Sequence, residues 1–248
     1  MATAPVAGVL AFLATWQLVL QFFGSSGSVL PTPSVVIAHI ASDPTYYWIN
    51  GIQTAQAASI GFVIALLAGS VGGFFLARWP LLERMTQPLI VLIQVTPIIA
   101  YAGAVVIWLG YGLNAILFLV VIVCIVPIIL NTVVGLRSVK PELLELAHSV
   151  DASRWDVYWH MQLPTAVPYL FSAARIAVGL ALIGTVLGEL FSKGRAGLGY
   201  SIILAIDHQL VLQLWGSIFV LAAIGSLGMA IITLAERLLS RWTSSRIN

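Results

Sequence analysis

Charge is what this sequence has least of. Only 8% of its 248 residues are Asp, Glu, Lys or Arg, against about a quarter in an ordinary soluble domain, while 60% are hydrophobic. A water-soluble fold is excluded on that ground. One cysteine, Cys124, excludes an intrachain disulfide and a cysteine zinc site, and its place inside an apolar run makes it a small packed hydrophobe. The four histidines, His39, His148, His160 and His208, show no metal-ligand spacing, and no His-Glu-x-x-His occurs, so neither a metal nor a metalloenzyme is expected. No basic stripe supports nucleic-acid binding. The tetrapeptide Gly24-Ser25-Ser26-Gly27 matches a Gly-x-Ser-Gly nucleophile pattern, with His208 as a candidate base. It falls in a Gly- and Ser-rich loop, where such clusters are common turns, and no catalytic residue is assigned. Neither an internal repeat nor a low-complexity tract is evident.

What the sequence has in plenty is apolar length. A helix needs about 20 mostly apolar residues to cross the hydrocarbon layer, because its backbone must satisfy its own hydrogen bonds there. Six runs meet that need, at residues 5–23, 52–77, 88–109, 115–134, 169–190 and 212–235. They do not alternate with period two, which favours helices over a barrel. The expected fold is all-α, a polytopic membrane helix bundle of six transmembrane helices in one domain spanning residues 1–248. The first run lacks the basic segment and small-residue cleavage pattern of a removed signal peptide, so a retained helix is expected. Residues 24–50 read as a loop with one short interfacial helix near Ser34 to Ser42. Pro97 and Pro127 sit mid-run and should kink or open their helices. Ala68-Gly69-Ser70-Val71-Gly72-Gly73 and Gly225-Ser226-Leu227-Gly228 supply small faces for close helix approach, the dimer contact among them.

Arg78, Arg84, Arg137, Lys140, Arg154, Arg237, Arg241 and Arg246 fall on one side of this pattern, with Lys193 and Arg195 on the other. The positive-inside rule then places both termini in the cytoplasm. The connection at residues 136–168 lies on that inner side and is long for a link between packed elements. Pro141 suits the first turn of a helix, and Glu142 and Glu145 follow where negative charge complements the helix dipole. Leu143, Leu146, Ala147 and Val150 recur at i, i+3, i+4 and i+7, an apolar stripe on a short amphipathic helix. Asp151 tolerates a turn, and Ser153 with Asp156 has capping-box spacing for a second helix through about Gln162. That helix shows Trp155, Tyr158 and Trp159 to the membrane interface before Pro164 and Pro168 lead into the fifth span. Periodicity leaves open whether this pair lies on lipid or docks a partner.

The run Glu145-Leu146-Ala147, three residues, Asp151, nine residues, Met161-Gln162-Leu163-Pro164 resembles the cytoplasmic loop of ATP-binding-cassette importer permeases, which reads Glu-Ala-Ala, three residues, Gly, nine residues, Ile-x-Leu-Pro. Glu145, Ala147, Leu163 and Pro164 match; Leu146, Asp151 and Met161 depart. Residues 127–137, Gly188-Glu189 and Gly197-Leu198-Gly199-Tyr200 are similar to the branch importing nitrate, sulfonates, taurine and related small solutes. The resemblance implies a type I importer permease fold in a bacterial inner membrane, whose loop helix couples to a separate ATPase. Glu142, Glu145, Leu146, Ala147, Asp151, Ala152, Arg154, Leu163 and Pro164 would form that coupling element. Small Ala147 would allow a partner to approach closely, and Glu145 would face a basic partner residue. The chain has no phosphate-binding loop, so ATP and magnesium are expected in the partner and no cofactor in this chain. Partners implied are two ATP-binding subunits, a second permease copy, an extracytoplasmic binding protein docking at Gly197 to Tyr200, and membrane lipid.

Inside the spans, Arg175 and Glu189 are the ionisable residues nearest membrane depth, and with Gln94 and Asn131 they are candidates to line the path. Snorkelling at the span ends would also explain the two charges, and helix-to-helix hydrogen bonding the two amides. Gln53 and Gln56 are weaker candidates of the same kind. An ion-coupled secondary transporter is the alternative, though the inverted repeats that would mark one are missing.

Overall fold

Prolines and caps set where the helices begin. The computed structural model describes residues 3–23, 29–191 and 196–244, with side chains described within 7–239. In chain order the helices are α1 (Thr3–Phe23), α2 (Pro33–Ser42), α3 (Pro44–Arg78), α4 (Pro80–Val95), α5 (Ile98–Leu109), α6 (Leu113–Arg137), α7 (Pro141–Ser149), α8 (Arg154–Val157), α9 (Leu163–Phe191), α10 (Leu198–Asp207) and α11 (Val211–Ser244). A π-helical turn, Tyr158–Gln162, joins α8 to α9. No strand occurs among the described residues, and the fold is the all-α bundle the apolar runs imply. α2, α3, α4 and α7 each open on a proline, whose missing N–H costs nothing in the first turn.

Among the described residues four helices, α3, α6, the α8–α9 run and α11, are long and apolar enough to cross a membrane, and the bent α4–α5 pair is a fifth if it counts as one span. α3 begins well before Ile52, because Asp43 accepts a hydrogen bond from the Tyr46 N–H at 3.1 Å and Pro44 sets the first turn; hydropathy does not register such a cap. The short helix expected near Ser34 is α2. The run at 88–109 is not one straight helix. It breaks at Thr96 and Pro97, where α4 and α5 meet at 102°, so that Pro97 ends one helix and starts another. Pro127 behaves otherwise, and α6 continues through it unbroken.

Most of the core lies along α6, held between α3 and α9. Ala57, Ala58 and Ala65 of α3 and Ala173, Ala177 and Ala181 of α9 close on Ile116, Val120, Cys124 and Ile128 of α6. The branched side chains of α6 enter seams of small residues on both neighbours, which lets backbones come near where lipid supplies no hydrophobic drive between helices. A Cβ on Gly69 would fall 2.7 Å from Ile128 Cγ2, and one on Gly184 2.9 Å from Val120 Cα. The small faces read in the sequence are therefore contacts within the chain: Gly69 and Gly73 against α6, and Gly225 and Gly228 against Leu182 and Val178 of α9. Cys124 is buried and its Sγ lies 3.4 Å from the Ala177 carbonyl. A second cluster packs Ala102, Val105 and Val106 of α5 on Ala115 and Leu119 of α6.

Candidate functional site

The long loop between α6 and α9 carries one exposed helix, α7, closed by a defined turn. α7 ends in a Schellman motif: the Ala152 N–H donates to the Ala147 carbonyl at 3.0 Å and the Asp151 N–H to the His148 carbonyl at 3.1 Å. Asp151 takes the left-handed conformation there, φ +52°, the position where glycine is usual. The substitution of Asp for Gly thus keeps the turn, as a short polar side chain permits. Ser153 then forms the expected capping box. Its Oγ accepts from the Asp156 N–H and the Asp156 carboxylate accepts from the Ser153 N–H, both at 3.2 Å.

The second loop helix is not a separate element. From Arg154 the chain is helical without a gap to Phe191, through the π turn, and Pro164 and Pro168 lie inside α9 rather than ahead of it. The wider turn falls where the Pro164 ring would otherwise meet a carbonyl of the preceding turn, with the Leu163 N–H bonding back to the Tyr158 carbonyl. Of the aromatic trio, Trp155 and Trp159 are exposed, while the Tyr158 ring meets Phe74 of α3 edge to face at 4.8 Å.

Within α7 the sides are unequal. Glu142, Glu145, Leu143, Leu146 and Val150 are exposed, Val150 by 69%. Ala147 is 2% exposed, the one buried residue of α7. Arg154 is exposed, Ala152 half-buried, and Leu163 and Pro164 are half-buried at the start of α9.

At the opposite end of the bundle Glu189 is 2% exposed. Its carboxylate accepts from Thr54 Oγ1 at 2.8 and 3.0 Å and from the Gly199 N–H at 2.7 Å. Thr54 Oγ1 in turn accepts from the Leu198 N–H, and Asn50 Oδ1 from the Gly197 N–H, each at 2.8 Å. Three amides that open α10 are thus satisfied by side chains of α3 and α9, and the Glu189 carboxyl group lies at the positive helix end. No bulkier residue fits: a Cβ on Gly199 would come 2.7 Å from the Val186 carbonyl oxygen and 2.8 Å from Glu189 Cβ. A second clasp joins α10 to α3 and α11. Ser201 Oγ lies 2.6 Å from Tyr46 Oη and 2.9 Å from Ser217 Oγ.

The path candidates therefore part company. Glu189 borders a small pocket of about 90 Å3 with Gln53, Gln56 and Leu113. Arg175 forms an ion pair with Glu236, Nη1 to Oε2 at 2.6 Å, tying α9 to α11. Asn131 Nδ2 donates to the Pro127 carbonyl in its own helix at 2.8 Å. Gln94 is exposed on the last turn of α4. In the binding-protein run, Gly197, Leu198 and Gly199 are buried and Tyr200 half-buried. Gly24 to Gly27, Lys193, Arg195 and Arg246 lie outside the described residues. Among those described, no three His, Cys, Asp or Glu residues gather to hold a metal.

Sequence reasoning missed Thr54 and Asn50 as carboxylate and amide partners, α10 as a helix, and Glu236 as the partner of Arg175. A lone acidic residue just past the last apolar run was the available signal for Glu236. It missed too that Glu83 takes two hydrogen bonds from Arg137, at 3.0 and 2.7 Å. That ion pair joins the first turn of α4 to the end of α6, and Phe74 with Tyr158 joins α3 to the long loop, so the α3–α4 and α6–α9 connections lie at one end of the bundle.

Long apolar helices, small-residue seams and an exposed amphipathic helix at one end define a polytopic membrane protein. The chain belongs to the family of binding-protein-dependent transport system inner membrane components, whose model matches residues 61–245. It is 32% identical over 241 residues to the riboflavin transport system permease protein RibX of Chloroflexus aurantiacus, covering 94% of this chain and 87% of that one. It is 28% identical over 247 residues to the formylaminopyrimidine transport permease protein ThiX of Halalkalibacterium halodurans, with 97% and 96% covered. The aliphatic sulfonates transport permease protein SsuC of Escherichia coli, a putative assignment in its own name, matches at 30% over 244 residues, with 93% and 88% covered. The chain is a multi-pass inner-membrane permease of the small-solute importer class, which decides against an ion-coupled secondary transporter.

Proposed function

We propose that this permease works as two copies with two ATP-binding subunits at its cytoplasmic face, passing inward a small solute delivered by an extracytoplasmic binding protein. ATP and magnesium are held by the partner subunits. The observation that carries this reading is α7. It offers Glu142, Glu145, Leu143 and Leu146 outward, with Val150 exposed at its cap, and among the described residues the two carboxylates form no ion pair. Its carboxyl end is set by the Schellman turn, and the capping box of α8 follows directly. A rigid helix of that kind transmits a push, whereas a floppy loop absorbs it.

The solute belongs to the nitrate, sulfonate, taurine or vitamin-precursor class, in keeping with relatives named for riboflavin, formylaminopyrimidine and aliphatic sulfonates. Six crossings, with α1 the first and the broken α4–α5 pair the third, put both termini in the cytoplasm. The path runs between the copies, past Gln94 and the pocket of Gln53, Gln56 and Glu189; Tyr200 is the residue of its run with surface to offer a binding protein.

Purification in mild detergent from the native host, with mass spectrometry of what accompanies the chain, tests the reading. An ATPase is expected. Glu145→Lys should lower its recovery about ten-fold, the equivalent of 1.4 kcal/mol, with the permease still eluting as a folded protein. Equal recovery from Glu145→Lys would remove α7 as the docking element, and no ATPase with the unaltered chain would remove the whole reading.

A further inference from the structure

One helix is held differently from its neighbours. α4 has no buried residue, whereas α3, α6 and α9 each bury several. Both of its ends are breaks. Trp79 leaves the helical region between α3 and α4, at φ −122° and ψ 97°, and Thr96 with Pro97 turns the chain through 102° into α5. Between α4 and α6 lies a pocket of about 480 Å3 walled by Ile90, Leu130, Val133 and Val134. Close-packed side chains resist displacement because nothing can move without a clash; a space of this size removes that resistance.

What fastens the cytoplasmic end of α4 is Glu83, bound through both oxygens to Arg137. The same guanidinium donates to the Leu76 and Ala77 carbonyls at the end of α3, at 3.2 and 3.3 Å. Arg137 is the last residue of α6, and Pro141 opens α7 just beyond it. A planar guanidinium gripping a carboxylate at two points fixes direction as well as distance.

We propose that the Arg137–Glu83 pair is a latch that carries displacement of α7 to α4, which swings on its two breaks against α6. This rests on the reading of α7 as the coupling helix. Exposed ion pairs contribute little to stability, so the latch acts through geometry and its loss is read in movement.

The experiment uses the complete complex of permease and ATPase. With Cys124→Ala removing the native thiol, spin labels on Gln87→Cys and Val134→Cys report the distance from α4 to α6, without nucleotide and with ATP and vanadate. Both positions are exposed. Expected are a change of a few ångströms with the latch intact, its loss in Glu83→Gln, and its return in the swapped Glu83→Arg, Arg137→Glu protein. A change that persists in Glu83→Gln overturns the latch, as does an unchanging distance in an intact complex that hydrolyses ATP. Absence of an ATPase from the purified sample overturns the reading of α7 and the latch with it, and is seen before any distance is measured.

Discussion

Asp151 and Glu189 show how differently two residues can be legible. Asp151 could be read in sequence, because a turn after an amphipathic helix is a local matter and Asp is among the few side chains that tolerate it. Its left-handed φ of +52° still carries a steric cost that glycine avoids. Asp151→Gly is expected to stabilise the protein by about 1 kcal/mol, raising the thermal midpoint in detergent by about 2–4 °C; Asp151→Val should lower it. Glu189 stood out as a charge at membrane depth and as part of the family resemblance, but not for its partners, because Thr54, which satisfies it, is remote in sequence. Glu189→Ala strips acceptors from the buried Gly199 N–H and Thr54 hydroxyl, and should cost about 1–3 kcal/mol for each group left unsatisfied. A thermal midpoint equal to that of the unaltered protein would show that water takes its place.

Among the elements, the long helices were plain from apolar length, and their small faces from composition, but not what those faces meet. Gly69→Leu drives a side chain into Ile128, whose Cγ2 already lies 2.7 Å from where a Cβ would stand. The expected loss is about 1–3 kcal/mol, read as a lower midpoint and a broader elution peak. Gly72→Leu, on the same stretch, should lose less, because a Cβ there meets Ile129 at an ordinary 3.5 Å. α10 escaped sequence reasoning because ten residues rise only about 15 Å, half a crossing, so no window suited to spans detects it. The break between α4 and α5 was half legible: Pro97 marked the place, but a proline inside α6 leaves that helix unbroken. Neighbouring helices decide which outcome holds, and α6 has them on both sides where α4 does not.

For the whole molecule, the structure gathers the α3–α4 and α6–α9 connections around Phe74, Glu83, Arg137 and Tyr158, and the positive-inside rule predicts that this end faces the cytoplasm. An alkaline phosphatase fusion, active only outside the cytoplasm, should be active when joined after Tyr111 and inactive when joined after Lys140 or Leu239. Activity after Leu239 would reverse the placement of the carboxyl end. The clasp on α10 has a bearing on how the chain is made. Synthesis runs from the amino end, so Asn50 and Thr54 enter the membrane on α3 long before Glu189 and the amides of residues 197–199 exist. Until then those side chains must make do with water or their own helix. The last third of the polypeptide closes the α10 end of the bundle, and a ribosome that stops after α6 leaves behind a nascent product with that polar seam still open.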